Sequence, residues 1–206
     1  MSRSTNSPRF PQTSGDICLD FANTLRGLRD GAAVELLRDY ADLADWAEQA
    51  GALTSAEARL QRREGERRTT AAAGVLARAR SLREVIYRIF ATVAAERGAP
   101  TTDLEALNAE LGRALAHARV DRVPDGFAWG WESETADLDR LLWPVARAAA
   151  RLLTGTPSRA IRECSNPFCS GLFIDTSRNH SRRWCDMRTC GNRAKAGRHR
   201  RRQGNG

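Results

Sequence analysis

Four cysteines near the C-terminus constrain this chain more than any other feature. Cys164, Cys169, Cys185 and Cys190 read C-x4-C, a gap of fifteen residues, then C-x4-C. Four soft sulfurs in two short-range pairs form the closed, tetrahedral shell that a structural Zn²⁺ takes. Two disulfides and a 4Fe–4S cluster are the competing readings. A polar N-terminus without an apolar h-region gives no secretory signal, which argues for the cytoplasm and against disulfides. Two isolated pairs around a hairpin favour zinc over an iron–sulfur cluster. His180 sits at a turn beside four good ligands and is read as solvated. Cys18 lies on an apolar helix face and is read as a buried structural thiol.

Charge is distributed as unevenly as sulfur. The 206 residues carry a formal net charge of +8. Residues 157–206 hold 12 Arg/Lys against Glu163, Asp175 and Asp186, a net of +9, so the remainder is close to neutral. Four thiolates with one Zn²⁺ would lower the tail to about +7. The excess points to a polyanionic partner, nucleic acid before membrane. No apolar run approaches the roughly 20 residues of a membrane helix.

Before the tail the pattern is helical. Cys18, Phe21, Ala22 and Leu25 share one face, and Leu36, Leu37, Tyr40, Leu43 and Ala47 predict a helix over about 33–50 ended by Gly51. Thr54 with Glu57, and Thr102 with Glu105, have capping-box spacing. A long alanine-rich helix is expected over 70–97. In "RVDRVPDGFAWGWE" Phe127, Trp129 and Trp131 alternate with small residues around a turn signal, which predicts a short hairpin covering the helical core. Pro144 should divide the last helical stretch near Trp143. Asp20 and Asn23 are polar residues beside an apolar stripe, open to binding a ligand or to anchoring neighbouring loops.

Within the tail, Leu172, Phe173 and Ile174 suit a strand, residues 175–180 a turn, and 182–184 a return strand. The second cysteine pair should open a helix running through the arginines. A module this poor in apolar side chains needs its metal as a staple.

The stretch "RRWCDMRTCGNRAKAGRHRRR" resembles the bacterial CGNR zinc-finger family, whose tetrapeptide stands here as Cys190-Gly191-Asn192-Arg193. "CSNPFCSGLFIDTSRN" is similar to the first half of that finger. "ICLDFANTL", "WGW" and "LDRLLWPVARAAARLL" resemble the ABATE domain that precedes it. The resemblance implies a zinc-binding C-terminal module and a stress-linked transcription regulator.

The expected architecture is mainly α: a flexible arm over 1–15, a helical ABATE-like domain with a short β-hairpin over 16–156, and a treble-clef-like zinc finger with four cysteine ligands and a basic C-terminal helix over 157–206. One structural Zn²⁺ per chain is expected. Arg182, Arg183, Arg188, Arg193, Lys195, Arg198, Arg200, Arg201 and Arg202 are the candidate nucleic-acid contacts, since guanidinium groups bind phosphates and read guanine edges. The partner is expected to be duplex DNA, with a small-molecule effector and a homodimer as open possibilities. Docking of an acidic protein or RNA is the rival reading. Arg193 pairing with Asp175, and Asn192 bonding the knuckle backbone, are structural alternatives for those two residues. With three histidines, no phosphate loop and no open metal site, no enzyme is expected.

Overall fold

The computed structural model describes residues 10–27, 33–132, 137–155, 157 and 160–196. Arg198 and Arg200–Arg202 lie outside the described residues, as does the arm over 1–9. The arm's inner part is not loose. Phe10 is buried, and its backbone N–H and C=O both bond the Gln49 side chain.

Helix α1 (Ile17–Ala22) is short and largely buried. Asp16 caps it by accepting the Cys18 N–H, and Cys18, Leu19, Phe21 and Ala22 are all buried. Strands β1 (Leu25–Arg26) and β2 (Val34–Glu35) form a two-residue antiparallel ladder. The helix expected from residue 33 therefore starts later. Asp39 caps α2 (Tyr40–Gln49) through the Asp42 N–H, and Leu36 and Leu37 lead into it as non-helical chain. The Glu35 carboxylate holds this lead-in by gripping the buried Arg83 guanidinium at 2.6 and 2.7 Å and accepting the Leu37 N–H.

The Thr54–Glu57 capping box opens α3 (Ser55–Arg67), and Arg68 breaks the helical path before α4 (Thr69–Ala94). Gly65 lets α3 approach α2, because a Cβ there would stand 2.4 Å from the Tyr40 ring. At 26 residues, α4 spans about 39 Å and packs on most other helices. The second expected capping box is absent. Helix α5 (Thr101–Leu115) is preceded by Pro100 at the N-cap with no side-chain cap; the helix begins one residue before Thr102, which therefore falls inside the first turn. As expected, Pro144 lies at a junction: a 3-10 turn (Leu138–Leu142) gives way to α6 (Trp143–Gly155). No helix among the described residues is long and apolar enough to cross a membrane.

The hairpin β3 (Ala118–Val123) and β4 (Gly126–Trp131) forms as predicted but does not cover the core. Of its aromatic residues only Trp131 reaches inward, against Trp143, whose ring also stacks on His117 at 4.1 Å. Phe127 and Trp129 remain exposed.

The C-terminal module shares its core with the helices. Its hairpin, β5 (Ile161–Glu163) and β6 (Leu172–Ile174), buries Ile161 and Leu172 in the main cluster. The expected partner of Leu172–Ile174 was 182–184; the actual partner is upstream, and 182–184 is not a strand. Asn23 proves to be an anchor. Its Oδ1 accepts the Leu172 N–H at 2.9 Å and its Nδ2 donates to the Leu172 carbonyl at 2.8 Å, as a neighbouring strand would. Replacing Asn23 with alanine strands a buried donor and a buried acceptor. The expected cost is about 2–4 kcal/mol, read from urea unfolding of the whole chain. A change under about 0.5 kcal/mol would show that the joint does not depend on this side chain.

Candidate metal centre

The hairpin's tip is the first metal knuckle. Cys164 N–H bonds the Gly171 carbonyl as the last ladder pair, and the chain then turns through 165–170. Buried Asn166 shapes the turn: its Oδ1 accepts the Phe168 N–H and its carbonyl accepts the Cys169 N–H. Gly171 donates its N–H to Cys169 Sγ at 3.3 Å. A Cβ on Gly171 would stand 3.0 Å from Cys185 Sγ and 3.3 Å from Cys169 Sγ, so glycine lets the strand pass beside the sulfurs.

The second knuckle is a turn of π-helix (Met187–Gly191), closed by Gly191 N–H to the Asp186 carbonyl. Asp186 caps it through the Arg188 N–H and the Thr189 hydroxyl. Residues 192–196 continue as α-helix. Asn192 donates to the Arg188 carbonyl, a bond inside its own helix rather than to the first knuckle.

These two turns bring Cys164, Cys169, Cys185 and Cys190 together, with all four sulfurs within 4.8 Å of one another. Cys169–Cys185 is 3.7 Å and Cys185–Cys190 is 3.8 Å. With metal–sulfur bonds of about 2.3 Å, the edge of a regular tetrahedron is about 3.8 Å, so the donor set fits one tetrahedral ion. Without a cation the sulfurs compete for protons. Hydrogen bonding to Cys164 pushes up the Cys169 and Cys185 thiols, while Cys164, as acceptor from both, is held down. His180 stays outside, exposed at a left-handed turn residue (φ 46°) and facing the Asp175 carbonyl.

One expected nucleic-acid contact is reassigned by the geometry. Arg182 is half-buried, and its guanidinium donates to the carbonyls of Thr13 (2.7 Å), Ile174 (3.3 Å), Trp184 (3.0 Å) and Cys185 (2.5 Å). It also lies 4.4 Å over the Phe173 ring. With its donors spent on backbone, it is a strap tying the metal-bearing turn to the inner arm. The arm is held in turn by Asp20, whose Oδ1 accepts the Thr13 and Ser14 N–H groups, and by Ile174 N–H on the Ser14 carbonyl.

Asp175 is not free for Arg193. Burial pushes its carboxyl up, but the Ser177 hydroxyl and the Ser177 and Arg182 N–H groups outweigh burial and hold it below the ordinary value. Arg183, Arg188, Arg193 and Lys195 are all exposed, and none has a carboxylate partner among the described residues. Trp184 is partly buried against the sulfur cluster, as a packing residue.

Sequence reasoning missed Asn166 and Gly171 as builders of the site, though a glycine two residues past a ligand was a usable signal.

Comparison with known families adds two findings. Residues 15–156 match ABATE, described as "Putative stress-induced transcription regulator". Residues 160–203 match the CGNR zinc finger. No curated protein matches the chain.

Two substitutions test the site. Gly171→Ala should weaken metal retention about tenfold in competition with a chromophoric chelator, since the ligands beside it must shift. Arg182→Ala should hasten metal loss, whereas Arg183→Ala should not. Equal metal loss in both arginine variants would contradict the strap.

Proposed function

We propose a function from a plain premise: the chain belongs to the ABATE family and carries a C-terminal CGNR zinc finger. The protein is a zinc-dependent nucleic-acid-binding protein acting as a DNA-binding transcription regulator. One Zn²⁺ per chain occupies the four cysteines and is structural. Four thiolates fill a tetrahedral shell and leave no position for a substrate, which supports a binding role over catalysis.

The observation that carries the reading is the set of exposed, uncompensated cations around the second knuckle: Arg183, Arg188, Arg193 and Lys195. The metal fixes the turn from which these side chains project. Arg198 and Arg200–Arg202, outside the described residues, add four more positive charges in sequence. Such a cluster gains most from phosphates, whose counterions are released on binding. The helical domain supplies a sensory or dimerisation role. Supporting the first is a recess of about 250 Å³ lined by Ala22, Leu25, Arg83, Glu84, Tyr87 and Arg88.

The test is fluorescence anisotropy of the zinc-loaded chain with random-sequence duplex DNA across a salt series. Neutralising about six phosphates gives a log–log slope near −5. Alanine at Arg183, Arg188, Arg193 and Lys195 together should flatten that slope by roughly four. No binding at low salt would overturn the reading. Binding of RNA or an acidic protein with DNA ignored would favour an interaction module instead.

A further inference from the structure

The β3–β4 hairpin carries a surface that the finger does not use. Its register places Trp131, Trp129 and Phe127 opposite Ala118, Val120 and Arg122, all on one face of the ribbon. The base of this face is packed, with Trp131 against Trp143. The outer part is open: Phe127 is 72% exposed, Val120 62% and Trp129 55%. Large aromatic rings standing this free on a two-stranded ribbon mark an interaction surface rather than a core.

Its charges narrow the partner. The Arg147 guanidinium lies 5.0 Å from the Trp129 ring and 5.8 Å from Trp131, and Arg122 lies 5.9 Å from Phe127. Neither arginine has a carboxylate partner among the described residues. The hairpin's central acid, Asp121, points to the other face, where it lies against Gly130 and pairs with Arg119. Among the described residues of the two strands, the aromatic face is therefore apolar and cationic, with no acid of its own. A second copy placed face to face would set guanidinium groups against guanidinium groups. Duplex DNA offers phosphates but keeps its base faces stacked inside. An unpaired nucleic-acid strand offers both flat rings and phosphates, side by side.

The geometry points to Phe127 and Trp129, flanked by Arg122 and Arg147, as a stacking platform for unpaired nucleotides. Bases stack on the two rings, and the guanidinium groups meet the adjoining phosphates. The partner class rests on the nucleic-acid reading above, but the surface is separate from the finger.

The experiment uses the full, zinc-loaded chain and a fluorescein-labelled strand of about 20 nucleotides, alone or annealed to its complement, long enough to span one stacking site. Phe127→Ala with Trp129→Ala should weaken single-strand binding about tenfold or more and leave duplex binding within about twofold of the parent. Phe127→Tyr with Trp129→Phe should restore single-strand binding, which excludes a folding defect as the cause. Unchanged single-strand affinity in the alanine variant would overturn the platform. So would equal losses on both probes, or a loss confined to self-association measured by sedimentation. Failure of the finger reading shows differently, as absent duplex binding in the parent chain.

Discussion

Four cysteine sulfurs within 4.8 Å of one another, three of them on buried residues, are the constraint on which the C-terminal module depends. So close together they cannot all ionise unless a cation offsets the charge, and as thiols they compete for protons and packing. A tetrahedral ion resolves both problems. It would also fix two turns that the local sequence stabilises weakly: a knuckle at the tip of a three-residue ladder and a single turn of π-helix.

The donor set does not stand alone, because the module is built into the helical domain. Ile161 and Leu172 complete the main core, Asn23 pairs with Leu172 as a strand would, and Arg182 links the Cys185 carbonyl to Thr13. Asp20 holds the other side of the same loop. A continuous set of contacts thus runs from Cys185 to the largely buried helix α1. Beside the apolar contacts of Ile161 and Leu172, the joint is polar and backbone-directed, so it specifies one docking geometry where apolar contacts alone would tolerate several. Exposed cations and exposed aromatic rings lie beyond this frame, on the finger's second knuckle and on the β3–β4 ribbon.

Much of this was legible from the residues. The cysteine spacing gave the metal site, because ligand chemistry depends on residue type and short-range geometry. Thr54 with Glu57 and the alternation at Phe127, Trp129 and Trp131 gave real elements, because caps and period-two patterns are local. The errors came where a distant partner decided the outcome. Leu172–Ile174 read as a strand, but its partner lay before the first cysteine rather than after the turn. Thr102 had capping-box spacing, yet the helix had already begun at Thr101, with Pro100 at the N-cap. Arg182 looked like its neighbour Arg183, and only the fold shows that one guanidinium is consumed by four carbonyls. Asn23 stood out as an oddity on an apolar stripe; its partner, 149 residues away, has no local signal.

On this view the metal holds the finger and the helical domain as one structural unit. Native-state hydrogen exchange, with and without the metal, tests that unity residue by residue. Metal removal should strip protection from the Leu172 and Ile174 amides and also from Thr13 and Ser14, which bond Asp20 beside the Arg182 strap. Loss confined to the finger, with Thr13 and Ser14 still protected, would contradict it.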